Sequence, residues 1–316
     1  MGHPDHGGCR ESRRESLKIR EMENILRSTR VILRSTRVTL EMIKWEHSIF
    51  ALPFALTGAV LAAGGWPPLR VLGWIVLCMV SARSAAMAFN RLVDARLDAA
   101  NPRTAMRALP KGELTASFVA AFTVLSAGVF VFASWRLNRL TLELSPIALI
   151  VVLGYSYMKR VTRWSHVVLG LALGIAPSAA WIAVRGGYDW RALVLTGIVM
   201  LWVGGFDVLY ACQDFEHDRS VGLNSVPAAF GVEGAFWIAR GMHLAMFVLL
   251  FVLVHVFGLG WIALAGMCVV GALLAYEHAI ISPRDMRRMN AAFFTLNGII
   301  SVVFFLFVAG DVLGRK

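Results

Sequence analysis

From Ser48 onward, long apolar runs alternate with short polar breaks. Nine runs approach the ~20 residues a helix needs to cross a bilayer. They lie at about 48–65, 69–90, 116–134, 141–158, 165–184, 191–212, 233–256, 259–280 and 290–310. Gly64-Gly65-Trp66-Pro67-Pro68 closes the first run, Gly186-Gly187 closes the fifth, and Ser282-Pro283 follows the eighth. Inside a bilayer the backbone must satisfy its own polar groups, so runs of this length are helices. The pattern predicts an all-α membrane protein with nine transmembrane helices over residues 45–316.

Residues 1–44 break the pattern. They are polar and carry ten basic and six acidic residues. Ile25–Val31 reads ILRSTRV, and Ile32–Val38 repeats it. Two copies are too few for a solenoid. The tail reads as a disordered segment or as a basic amphipathic helix lying on anionic lipid.

Composition supports the membrane reading. Hydrophobic residues make up 58% and charged residues 16%, against about 45–50% (with Gly included) and about 25% in soluble domains. Mean hydropathy is +0.65. The 31 Lys and Arg against 20 Asp and Glu give a net charge of +11. In a soluble chain that excess points to nucleic acid; here it reads as the positive-inside bias, with no nucleic-acid partner. With the N-terminus inside, the inside loops hold twelve basic residues and the outside loops with the C-terminal tail hold seven. The expectation is a multi-pass protein of the cell inner membrane, in contact with membrane lipid, with its N-terminus and active site facing the cytoplasm. The four cysteines are scattered without metal-ligand spacing.

Acids near membrane spans are costly, about 2.5–3.5 kcal/mol at a helix centre on insertion scales. This chain gathers them in two places. Asn90, Asp94 and Asp98 recur at i, i+4, i+8, on one helix face. A solvated helix end fits poorly, because Arg91 and Arg96 are expected on other faces. Asp214 and Asp218 repeat the i, i+4 pair, and Asp207 lies two turns earlier on the same face, inside the membrane. Glu216 points elsewhere and reads as solvated. The loop topology puts both clusters at one membrane face. Carboxylate pairs that face each other need cations, and hard oxygen ligands of this kind suit Mg²⁺ bridging protein to substrate phosphates. Arg91, Arg103, Arg107, Lys159 and Arg160 stand nearby to hold phosphate oxygens. The combination suggests a lipid diphosphate.

These residues resemble a known family. Asn90-x-x-x-Asp94-x-x-x-Asp98 and Asp214-x-x-x-Asp218 look like the two acid motifs of the UbiA superfamily of intramembrane prenyltransferases, a helical-bundle fold. The segments from Asn101-Pro102-Arg103-Thr104 to Lys111-Gly112, Tyr155 to Arg160, and Asp207 to Asp214 are similar to 4-hydroxybenzoate polyprenyltransferase-like enzymes. The resemblance implies Mg²⁺-dependent transfer from a polyprenyl diphosphate to an aromatic acid acceptor, 4-hydroxybenzoate, in quinone biosynthesis. It implies Asn90, Asp94 and Asp98 on one Mg²⁺ and Asp214 and Asp218 on the other, with Arg103, Arg107 and Lys159 on the diphosphate. Asp207, or a motif aspartate, would deprotonate the acceptor. Arg83, on the Asn90 face, would bind the acceptor carboxylate or the diphosphate, and Tyr155 would touch the diphosphate or serve as an interfacial aromatic.

The chain departs from the family where Arg91 stands in place of Asp. That variant resembles a subgroup some of whose members are placed in menaquinone synthesis through futalosine, with a dihydroxynaphthoate-type acceptor. Glu46-His47 also resembles that subgroup, with His47 read as structural. Two rivals remain. An ion-coupled transporter would use intramembrane acids as relays, but the acids sit at one face and no inverted repeat is evident. A phospholipid-forming phosphotransferase would need an Asp-Gly-x-x-Ala-Arg lead-in, which is missing.

Overall fold

The computed structural model describes residues 35–44 and 48–315. Glu46, His47 and the first heptad copy lie outside the described residues. Among those described there are helices and no strands, only one isolated bridge between Ser282 and Asp285.

A short helix, α1, covers 35–43. The bundle follows as α2 (Ser48–Ala63), α3 (Leu69–Ala100), α4 (Ala116–Leu137), α5 (Arg139–Val161), α6 (Ser165–Arg185), α7 (Arg191–Ser220), α8 (Val226–Val256), α9 (Trp261–Ile280) and α10 (Phe294–Leu313). Eight of these are long and apolar enough to cross a membrane, against the nine expected. The exception is α2, which has 16 described residues. At 1.5 Å per residue it reaches about 24 Å, short of a ~30 Å hydrocarbon core.

The acid motifs lie on the long helices. The apolar run ends near residue 90, but α3 continues to Ala100, for 32 residues. That is about 48 Å of helix, so the part bearing Asn90, Asp94 and Asp98 overshoots a hydrocarbon core. The 30-residue α7 does the same with Asp214 and Asp218. The helices alternate in direction, so both overhangs project from the same end. At the opposite end Trp66, Trp135, Tyr188, Trp190 and Trp261 are exposed, as expected of an interfacial belt.

Ends are fixed by local chemistry. Thr115 caps α4 by accepting from Phe118 N at 3.2 Å. Asn138 caps α5 through Thr141 N at 2.9 Å and donates to Ile182 O of α6. Gly186, at φ +69°, ends α6 in the left-handed region.

Between membrane helices there is little hydrophobic drive, so close packing decides which helices meet. Gly170 and Gly174 form a small-xxx-small pair on α6. A Cβ at Gly170 would fall 2.2 Å from Met200 O, and one at Gly174 2.7 Å from Thr196 O. Backbone therefore touches backbone along α6 and α7. Phe54, Trp202 and Phe304 then fill the core between α2, α7 and α10, with ring centroids 4.9 and 5.1 Å from Phe54. Val124, Leu125 and Ile150 face outward, a lipid-facing pattern. Met42 and Ile43 of α1 pack against Ala88, Leu114 and Val119, which sets that helix beside the acid-bearing end.

Candidate active site

At that end the bundle opens into a chamber of about 990 Å³. Asn90, Asp94, Asp98, Asp207, Asp214 and Asp218 all line it. The structure thus brings together both acid motifs, 116 to 128 residues apart in sequence, in one space. A 3₁₀ turn at Cys212–Asp214 tightens α7 at the start of the second motif. Asp214, the last residue of that turn, and Asp218 beyond it are buried, whereas Glu216 is exposed.

Every motif acid has a basic partner. Arg160 Nη2 donates to Asp94 Oδ1 at 2.8 Å, and Asn90 Nδ2 donates to Asp94 Oδ2 at 2.8 Å. Arg107 Nη1 donates to Asp98 Oδ1 at 2.5 Å. Arg103 grips Asp214 as a fork, with Nε donating to Oδ1 at 2.8 Å and Nη2 to Oδ2. Lys159 Nζ lies 3.8 Å from Asp218 Oδ2. Burial disfavours the Arg103 charge, yet the Asp214 carboxylate holds its guanidinium above the ordinary range. The basic residues expected on a diphosphate are thus on the acids, because two facing carboxylate pairs in a low-dielectric chamber need nearby positive charge.

Arg91 corrects the sequence expectation. It does not project away from the acids. It is buried, it lines the chamber, and its Nη1 donates to Asn90 Oδ1 at 3.3 Å and lies 3.9 Å from Asp98 Oδ2. Arg96 is exposed, as expected.

The loop after α3 joins the motifs. Asn101 Nδ2 donates to Asp214 Oδ1 at 3.0 Å, while its Oδ1 accepts from Arg103 N at 2.9 Å. Thr104 Oγ1 donates to Asp98 O at 3.0 Å. Sequence spacing gave neither residue a role.

Among the described residues, no three His, Cys, Asp or Glu side chains converge as a ready metal centre. The donor set still suits a hard cation. Asp98 Oδ2 and Asp218 Oδ2, one from each motif, are buried without a hydrogen-bond partner. A buried carboxylate oxygen left so is costly, and an oxygen-seeking cation would relieve it.

Below the acids the chamber meets a second cavity of about 340 Å³, lined mainly by apolar side chains of α3, α5 and α6. Arg83, Met87, Tyr155, Leu169 and Leu173 wall both. Arg83 Nε is buried with no hydrogen-bond partner among the described residues.

Asp207 lies deeper than the motif acids and pairs with a residue the sequence did not flag. His166 Nδ1 is 2.6 Å from Asp207 Oδ2. His166 is wholly buried. The Gly170-x-x-x-Gly174 contact, one turn further along α6, holds the two helices close enough for this pair.

The UbiA prenyltransferase family model matches residues 51–299. The 4-hydroxybenzoate octaprenyltransferase of Vibrio cholerae serotype O1 is 32% identical over 250 residues, which is 79% of this chain and 88% of that protein. The 4-hydroxybenzoate octaprenyltransferase of Hydrogenovibrio crunogenus is 30% identical over 244 residues, covering 76% and 84%. Among solved structures, the apo UbiA homologue of Aeropyrum pernix K1 superposes with a TM-score of 0.78 at 30% identity, covering 85% of this chain and 98% of that one. The Archaeoglobus fulgidus homologue bound to DMAPP and Mg²⁺ shares the fold, with a TM-score of 0.67 at 16% identity, covering 87% and 98%. With both acid motifs lining one chamber, the chain belongs to the UbiA prenyltransferase family and is a membrane prenyltransferase.

Proposed function

We propose that the enzyme moves a polyprenyl group from an allylic polyprenyl diphosphate to a ring carbon of 4-hydroxybenzoate, with Mg²⁺. The observation that carries this reading is the shared wall between the acid chamber and the apolar cavity. A substrate with a diphosphate head and an isoprenoid tail fits both at once. The named activity of the two curated relatives supports the acceptor, and the basic inside loops support a cytoplasmic-facing chamber in the cell inner membrane.

Asn90, Asp94 and Asp98 would hold one Mg²⁺, and Asp214 and Asp218 the other. Bound there, Mg²⁺ neutralises the diphosphate and makes it a better leaving group. Arg103, Arg107, Lys159 and Arg160 then exchange carboxylate for phosphate oxygens, a swap of one charge-assisted bond for another. Arg91 and Tyr155 complete the polar wall. The allylic C–O bond breaks, its electron pair leaving with the diphosphate. Apolar walls shield the cation from water, which would otherwise hydrolyse it. Arg83 pairs with the acceptor carboxylate. Asp207 takes the acceptor's hydroxyl proton, which raises the electron density of the ring. The ring carbon beside that oxygen bonds to the allylic carbon. Its C–H proton is lost to the diphosphate, and Asp207 returns the hydroxyl proton.

Arg91 favours a second acceptor. Arg91 in place of Asp resembles a subgroup some of whose members are placed in menaquinone synthesis with a dihydroxynaphthoate-type acceptor, and its side chain is buried beside the first motif. Competition between 4-hydroxybenzoate and a dihydroxynaphthoate for one labelled donor separates the two. Preferential labelling of 4-hydroxybenzoate supports the first reading, and preferential labelling of the naphthoate replaces it.

A further inference from the structure

His166 makes two hydrogen bonds that fix its tautomer. Its Nε2 accepts from Val226 N at 3.3 Å. A backbone N–H is only a donor, so Nε2 carries no proton. The proton of the neutral ring is then on Nδ1, which donates to Asp207 Oδ2 at 2.6 Å. Val226 opens α8 beside its N-cap Ser225, which is fully buried. The imidazole therefore bridges the start of α6, the middle of α7 and the start of α8. His166 itself has no exposure, whereas the Asp207 side chain keeps 21% and lines the chamber. One carboxylate oxygen is thus held from behind, and the other can meet a substrate.

We infer that His166 is a positioning residue for Asp207 in prenyl transfer. The inference rests on the reading of Asp207 as the base for the acceptor hydroxyl. In that step the hydroxyl proton passes to Asp207 Oδ1, while Oδ2 keeps the His166 Nδ1–H bond. The proton goes no further, because Nε2 is occupied by the Val226 N–H. It returns to the acceptor oxygen after the C–C bond has formed and the ring proton has left. A lone carboxylate could rotate and offer either oxygen in several directions; His166 holds one orientation.

The test compares His166→Leu, which removes the donor, with His166→Asn, whose amide N–H can stand near the Nδ1 position, in full-length enzyme with saturating donor. His166→Leu should lower kcat about 10–100-fold, as loss of an orienting partner does elsewhere. The KM for the polyprenyl diphosphate should stay unchanged, and His166→Asn should recover part of kcat. In an Asp207→Asn background, His166→Leu should add little, since residues that act as a unit are not additive. If Asp207→Asn keeps wild-type kcat, the reading of Asp207 as base falls and takes the inference with it. If Asp207→Asn loses turnover but His166→Leu does not, or if the double variant shows the product of both losses, the inference alone falls. A separate readout needs no turnover: ¹⁵N-histidine NMR of the wild type, with His166 assigned by its loss in His166→Asn. It should show protonated Nδ1 and bare Nε2, and the opposite tautomer overturns the inference even if His166→Leu does not fold.

Discussion

Asn101 Nδ2 donates to Asp214 Oδ1 at 3.0 Å, tying the loop after the first acid motif to the second motif 113 residues later. Arg103 grips the same carboxylate from the same loop. The two halves of the chamber are therefore joined by side chains outside both motifs.

Replacing Asn101 with Ala removes a buried hydrogen bond to a carboxylate. Such bonds contribute about 1.5–3 kcal/mol. The expected outcome is a kcat/KM about 10–100-fold lower in Asn101→Ala, read from initial rates over a range of Mg²⁺ concentrations, with the protein still folded by circular dichroism.

Arg83 sits where the polar chamber meets the apolar cavity. If it pairs with the acceptor carboxylate, Arg83→Leu raises the acceptor KM by at least about 10-fold, one ion-supported hydrogen bond. The donor KM should change little. A rise in the donor KM alone would place Arg83 on the diphosphate instead.

Ala176 and Ala82 face the apolar cavity. Ala176→Phe should block its depth and leave its mouth open. Turnover with geranyl diphosphate should persist while turnover with a long polyprenyl diphosphate falls. Equal loss with both donors would move the isoprenoid path elsewhere.

Gly170→Leu tests the α6–α7 contact. A Cβ there meets Met200 O at 2.2 Å, so the helices must separate. Overpacking of this kind costs about 1–3 kcal/mol. The melting temperature in detergent should drop, and turnover should drop with it, since the same contact sets the His166–Asp207 distance.

Much of this site is legible in the chain because its chemistry is local. Asn90, Asp94 and Asp98 share a face through helix periodicity alone, and apolar runs mark most of the helices. What escapes is what tertiary packing decides. Nothing in the residues around His166 points to Asp207, 41 positions away; the backbone contact at Gly170 and Gly174 makes the pair. Arg91 looks displaced when only its one-residue step from Asn90 is counted, but it stands three residues before Asp94 and seven before Asp98, spacings that share a helix face. Its long side chain turns into the chamber, where Asn90 and Asp98 attract it. The bases Arg103, Arg107, Lys159 and Arg160 stand against the motif acids, and composition cannot tell whether they hold phosphate or carboxylate. The run at 48–65 resembles a full span, but its described helix stops at Ala63, before Gly64 turns left-handed at φ +60°.

Central to the account is that the two acid motifs act together on one diphosphate. Purified enzyme in lipid should be given a radiolabelled polyprenyl diphosphate and 4-hydroxybenzoate, or a dihydroxynaphthoate, with and without Mg²⁺. Wild type should form prenylated acceptor only with Mg²⁺, and Asp94→Ala and Asp214→Ala should each abolish product while remaining folded. Wild-type turnover in either variant, or product formed at full rate after Mg²⁺ is removed by chelation, would contradict it.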